Sequence, residues 1–429
     1  MKKICIYLTV LFLGTQSFSQ MSGKRETPYG FEINVIPPIY YDQYITFKNG
    51  VDHPQLRFDI SIQNDLLFFT KTDKGYEAGY DISLFVKDSA TQTTFFSNLI
   101  KEKVIEKNFK ITNSTTHYQH KFKNYLLDIP PGDYDLYLKL TDETTGNSFR
   151  SNRKIKVLNI NSLLSPTDIK LYTANDTGSA EIIVGENQST VKFNQELKTH
   201  LEMIDFDHEE ISVVSELYYL KDDEKIDIRR KQFDQPVKNA LAVIEENLER
   251  KILKEGDYLL IYTINAANQK VQVKKKFSVI WYEKPIYLYD LELAIQPLVH
   301  IISKEEFKHI QNLSDTDLKV WFDDFWKKKD PEPETPYNEI QQEFYGRVLQ
   351  ADRQYSDNNT DGWKSDRGKA FILYGQPDRI EEHHYLTNAK PYEIWYFDSL
   401  NKKLVFMDIN EDNTFLLMRI ENIGDKKNE

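Results

Sequence analysis

The segment Gly362-Trp363-Lys364-Ser365-Asp366-Arg367-Gly368 places an indole, a hydroxyl, a carboxylate and a guanidinium within one turn of chain. Such a set can hold a polar ligand or a charged partner group, because a guanidinium pairs with carboxylate or phosphate while the indole anchors the contact. On that reading Trp363, Ser365, Asp366 and Arg367 are binding residues, joined by Trp395 and by Asp378 of the turn Gly375-Gln376-Pro377-Asp378. A structural account of the same residues is preferred. Trp363 pins the loop to neighbouring helices, Ser365 and Asp366 bond the backbone N–H groups of the turn, and Gly368 supplies conformational freedom.

Other candidate chemistry is weaker. Asp357-Asn358-Asn359-Thr360-Asp361-Gly362 matches the first half of a calcium loop, but its twelfth position is Gly368, where a bidentate Glu is required. His383 and His384 are adjacent, so on a strand they point to opposite faces and do not converge on one ion. The sequence has no His-Glu-x-x-His, no cysteine ligand pair, no Gly-x-Ser-x-Gly elbow and no phosphate-binding glycine loop. The expectation is a protein without metal or cofactor and with no catalytic residues. The alternative is an enzyme or ligand-binding protein whose pocket lies between Trp363, Asp366, Arg367 and Asp378.

The elements that must position these residues begin after Trp281-Tyr282-Glu283-Lys284-Pro285, where the apolar period changes from two to 3.6. Ser303 with Glu306 three residues on reads as a capping box for a helix over 303–309. A helix starting near Asp315 groups Leu318, Trp321, Phe322 and Phe325 on one face and ends at Lys327-Lys328-Lys329, where cations suit the helix dipole. Thr335 followed by Pro336 predicts the start of a third helix that buries Ile340, Phe344, Val348 and Ala351. Beyond the Gly-Trp segment, residues 370–374, 392–397, 403–409 and 414–420 read as strands, the last three joined by hairpin-length turns.

Several motifs in this stretch occur in a fixed order: Phe325-Trp326, Asp330-Pro331, Thr335-Pro336 with Asn338-Glu339, residues 362–368, Tyr374-Gly375 with Pro377-Asp378, and Tyr392-Glu393-Ile394-Trp395. Over about residues 286–422 the chain closely resembles the GWxTD-domain family, found in exported proteins of bacteria related to the Bacteroidetes. Ser365 stands where that family has Thr, and Lys329 and Glu332 replace its usual Arg and Thr. The resemblance implies export but no particular reaction.

Upstream, alternating runs such as Leu56-Arg57-Phe58-Asp59-Ile60-Ser61-Ile62 and Tyr80-Asp81-Ile82-Ser83-Leu84-Phe85-Val86 predict half-buried antiparallel strands. A closing hairpin around Gly132-Asp133-Tyr134 recurs around Gly256-Asp257-Tyr258, which predicts two copies of one fold. Each Tyr reads as the corner tyrosine of an immunoglobulin-like sandwich, bonding back to nearby backbone. In the second copy, Val237, Leu241, Ile244 and Leu248 fall on one face of a helix. The fold expected is therefore multidomain: two immunoglobulin-like β-sandwich domains (28–158 and 165–282), then an α+β domain (286–422) with helices packed on an antiparallel meander.

The amino terminus explains where such a protein works. Met1-Lys2-Lys3, an apolar run over residues 4–13 and Ser17-Phe18-Ser19 give the three-part layout of a secretory signal, so residues 1–19 are expected to be removed. The run is too short to span a bilayer, and no later stretch is apolar enough to do so. Cys5 is the single cysteine, so cleavage leaves a chain without thiols or disulfides, whose stability must come from buried cores. With 55 basic against 67 acidic residues the formal charge is −12, which argues against a nucleic-acid partner. The short tail after the last strand favours the periplasm over the cell surface. These features together predict an extracytoplasmic protein-interaction or envelope-assembly module with an envelope protein as its partner.

Overall fold

The computed structural model describes residues 24–26, 32–34, 39–47, 54–113, 118–120, 127–157, 165–174, 180–182, 189–222, 224–266, 269–282, 284–357, 360–384 and 390–423. Residues 1–23, where a secretory signal is expected over 1–19, Asn358 and Asn359 of the calcium-like loop, and the residues beyond 423 lie outside them. The chain is mostly β, with several separate sheets and few helices. It divides into two compact units, Met1–Arg25 with Asn34–Tyr282, and Glu26–Ile33 with Glu283–Glu429. No helix among the described residues is long and apolar enough to cross a membrane.

In the first unit the period-two runs are strands. Tyr80, Ile82, Leu84 and Val86 of Gly75–Asp88 are buried, as are Leu136, Leu138 and Leu140 of the neighbouring Gly132–Asp142. They share one apolar cluster with Leu56, Phe58 and Ile62 of a separate sheet. Each such side chain contributes about 1.5–3 kcal/mol when fully buried, which suits a chain without disulfides. The hairpin of Gly132–Asp142 with Ser148–Val157 has its counterpart in Gly256–Ala266 with Gln269–Ile280. Tyr134 donates its hydroxyl to the Pro130 carbonyl at 3.0 Å, and Tyr258 donates to the Lys254 carbonyl at the same distance. The two hairpins therefore repeat a bond as well as a sequence.

The helix expected after Pro236 is absent. Leu241–Leu248 is a strand paired with Leu197–Ile204, and its buried residues are Ala242, Ile244, Glu246 and Leu248. The alternation was obscured because one inward position is a carboxylate. Glu246 is held by Arg229 at 2.9 Å, with Lys231 3.9 Å away.

In the second unit, Ser303 and Ser314 cap helices Lys304–Ile310 and Asp315–Lys327, each accepting the N–H three residues on. Leu318, Phe322 and Trp326 are buried, while Trp321 and Phe325 stack on each other at the edge of the core. The third helix, Glu339–Tyr355, starts later than Thr335-Pro336 predicts. Its cap is Asn338, which accepts from Gln341 N at 2.9 Å and donates to the Trp326 carbonyl at 2.8 Å. Thr335 instead closes a turn onto Glu332 and Tyr337, and Ile340 is 41% exposed rather than buried.

Residues 370–374, expected as a strand, belong to the helix Asp366–Tyr374. The sheet gains its first strand from Arg379–His383 instead, followed in order by Tyr392–Phe397, Lys402–Asp408 and Phe415–Asn422, all antiparallel. Trp395, Leu404, Phe406 and Phe415 of this sheet join one apolar cluster with Phe344, Val348 and Phe371 of the helices.

Candidate functional site

The Gly-Trp segment runs from the end of helix Glu339–Tyr355 into helix Asp366–Tyr374, and two polar groups at the end of the first helix receive it. Asp352 accepts Trp363 N at 3.1 Å and also takes the Tyr287 hydroxyl, while the Ser356 hydroxyl accepts Gly362 N at 2.7 Å. The approach is close enough to exclude side chains. A Cβ on Gly362 would lie 2.1 Å from the Ala351 carbonyl oxygen, and one on Gly368 would lie 1.8 Å from the Gly362 oxygen. Trp363 is 6% exposed and packs in the core.

Ser365 is the helix cap. Its hydroxyl accepts Gly368 N at 3.0 Å and donates to the Gly362 carbonyl at 2.7 Å. That role needs only a hydroxyl, so Ser and Thr serve it alike. Asp366 follows in the first helical turn, where a carboxylate suits the dipole, and accepts Leu417 N at 2.7 Å. Phe415–Asn422 is an edge strand, so its outward N–H groups have no strand partner and Asp366 satisfies one of them.

Arg367 lies over the Phe415 ring at 4.3 Å and the Tyr355 ring at 5.5 Å, pairs with Glu393 at 3.1 Å and donates to the Asn413 carbonyl at 3.4 Å. The other oxygen of Glu393 accepts the Trp395 indole N–H at 3.0 Å, and His384 stands 3.4 Å from the carboxylate. Trp395 is fully buried. Arg367 and Trp395 thus meet on Glu393, whereas Asp378 is exposed and accepts the Asp398 N–H at 2.7 Å. Trp363, Ser365, Asp366 and Asp378 each have separate partners.

The outer side of the segment is different. Trp363 and Lys364 line a groove of about 810 Å³ together with buried Ile295, Ile310 and Leu318, part-buried Phe307, and exposed Val299, Glu292, Gln296, Gln311 and Asp315. His300 lies in it with Nε2 2.9 Å from the Trp363 carbonyl and its ring edge-on to the indole. Burial holds the His300 pKa below its usual value, opposed by the bond to Trp363 and aided by the charge of Lys369. A neutral ring then donates from Nε2 to the carbonyl and brings no charge to the groove.

The other candidates resolve into local contacts. Asp357 accepts Thr360 N at 2.7 Å and Asp361 pairs with Lys364 at 2.8 Å. His383 stacks on Tyr392 with ring centroids 4.4 Å apart, away from the Glu393 contact of His384. Among the described residues no group of three or more His, Cys, Asp or Glu is placed to hold a metal ion. Glu393, Asp352 and His300 were not singled out from sequence. Glu393 had a signal, since it occupies the buried phase of Tyr392–Phe397 with Trp395 and Phe397, and a buried acid needs a partner.

No curated protein matches the chain. Among solved structures, red sea bream transglutaminase is 10% identical over 58% of this chain and 32% of its own, with a TM-score of 0.18. The native conformation of E. coli alpha-2-macroglobulin is 11% identical over 58% of this chain and 17% of its own, with a TM-score of 0.17. The chain spans about a third and about a sixth of their lengths, and likeness at that level carries no argument. The family model described as GWxTD domain matches residues 260–424, starting within strand Gly256–Ala266 and so earlier than the motifs alone suggest. Over residues 260–424, therefore, the chain carries a GWxTD domain.

Proposed function

We propose that this is an exported, non-catalytic interaction module of the periplasm, built as two immunoglobulin-like sandwiches followed by an α+β domain that docks an envelope protein. The observation that carries this reading is the division of labour within residues 362–368. Its hydroxyl, carboxylate and guanidinium are engaged by internal backbone and side-chain partners. Its Trp363 and Lys364 line a groove shared by buried apolar and exposed polar side chains. Buried apolar groups accompanied by exposed polar ones fit a partner-binding patch, which has an apolar core and a polar rim. The segment acts as a scaffold for that groove.

Affinity capture from envelope extracts tests the reading. Val299 lines the groove and is 41% exposed, so Val299→Asp is expected to leave the fold intact while placing a charge where the partner's apolar group would sit. Wild type should retain a specific protein that Val299→Asp loses. Equal retention by both chains, or no specific protein with folded wild type, contradicts the reading.

A further inference from the structure

The first unit has a surface that this reading leaves unused. In Gly75–Asp88, Gly132–Asp142 and Ser148–Val157, the residues alternating with the core positions form the outward face of one sheet. Two aromatic residues meet there: Phe85 lies opposite Tyr137, and Phe85 is 39% exposed although Leu84 and Val86 beside it are buried. One step along, Lys139 lies directly opposite Arg150. Like charges facing each other across an antiparallel pair weaken the pairing. Among the described residues no carboxylate forms an ion pair with either. Lys87 adds a third cation over the Tyr137 ring at 5.4 Å. Of the acids on this face, Asp135, next to Tyr137, is 9% exposed and takes the Gln92 amide at 3.0 Å, Asp133 lies opposite Lys156 farther along the strand, and Asp81 lies 3.7 Å from Lys101. Between the rings and the cations is a hollow of about 260 Å³, which Asn152 also lines.

We infer that this face binds an acidic polysaccharide, a uronate ring laying its C–H face on Phe85 and Tyr137 with its carboxylate between Lys139 and Arg150. A local excess of cations in a chain of formal charge −12 is complementary to an anion, and the anion relieves the repulsion of the facing pair. An acidic peptide carries the same charge but suits the place less well. Extended peptides add to a sheet through backbone groups at an edge, and the inside of a sheet face offers no free N–H or C=O.

Calorimetric titration of the full chain with polygalacturonate tests this. Wild type should bind, and Lys139→Gln with Arg150→Gln, or Phe85→Ala alone, should weaken binding about tenfold or more. Methyl-esterified polygalacturonate, with the same rings and no charge, should bind about as weakly as the charge variant. Val299→Asp should bind as wild type does, which separates this site from the groove. Three results overturn the inference: no binding of polygalacturonate, binding unchanged in the variants while circular dichroism shows them folded, or polyglutamate binding as tightly as polygalacturonate.

Discussion

Asp366 accepts the backbone N–H of Leu417 at 2.7 Å, so the first turn of a helix is fastened to the edge strand of the sheet it packs against. Ser365 and Arg367 on either side make the other fastenings, one to the loop and one to Glu393. Asp366→Ala leaves the half-buried Leu417 N–H without its partner, and Asp366→Asn retains an acceptor. We predict a loss of about 1–3 kcal/mol for Ala and less for Asn in chemical denaturation, with no loss of partner capture by the folded fraction. Ser365→Thr should be near neutral and Ser365→Ala should cost about 1 kcal/mol.

The glycine that opens the segment is set by space. A methyl group on Gly362 would meet the Ala351 and Ser356 backbone at 2.1 and 2.7 Å, and backbone cannot move aside as a flexible side chain can. Gly362→Ala should therefore cost more than about 2 kcal/mol, whereas Gly346→Ala, with nothing within 4 Å, should be neutral or slightly stabilising in its helix. Equal midpoints for the two variants in thermal unfolding would contradict the packing described.

Glu202 links strands of the first unit that are far apart in sequence. It accepts Phe47 N at 2.7 Å and the Thr46 hydroxyl at 2.9 Å, pairs with buried Lys170 at 3.3 Å and lies 3.1 Å from His200. Burial alone would raise its pKa, but the bonds from His200, Phe47 and Thr46 and the charge of Lys170 outweigh it and hold the group at about 2, below its ordinary 4.5. A carboxyl whose pKa falls on folding stabilises the fold fully above its unfolded value and loses that contribution as pH falls toward the folded one. Stability should decline between about pH 4.5 and 2, and Glu202→Gln should flatten that decline. Because Gln leaves the Lys170 charge buried without its carboxylate, the variant should also cost about 3–5 kcal/mol at neutral pH, with Lys170→Met partly rescuing it.

Tyr134 and Tyr258 make the same 3.0 Å bond to a carbonyl four residues upstream. Tyr134→Phe and Tyr258→Phe should each cost about 1 kcal/mol, measured by urea unfolding, and by similar amounts. A large effect at one site and none at the other would mean that the repeated motif does not do the same work in both copies.

Much of this architecture was legible because it is local. The tandem Gly-Asp-Tyr hairpins, the capping Ser303, the helix starting near Asp315 and the last three strands follow from periodicity and cap chemistry. What was misread turns on particular residues. Glu246 at an inward position hid the alternation of Leu241–Leu248, and its partner Arg229 comes from another strand. Ala370-Phe371-Ile372-Leu373-Tyr374 has a strand's composition, but the cap at Ser365 and burial of Ala370, Phe371 and Ile372 against other helices make it helical. Short apolar runs do not distinguish the two states by period. The groove was invisible for a third reason: Val299, Phe307, Leu318 and Trp363 converge only after four segments have packed.

The most direct measurement is site-specific photocrosslinking in envelope extracts, with a photoreactive residue replacing Val299 in the groove or Asp378 on the exposed turn. The account predicts one specific crosslinked protein from position 299 and none from position 378. A crosslink from position 378 alone, or from neither position in folded protein, would contradict it.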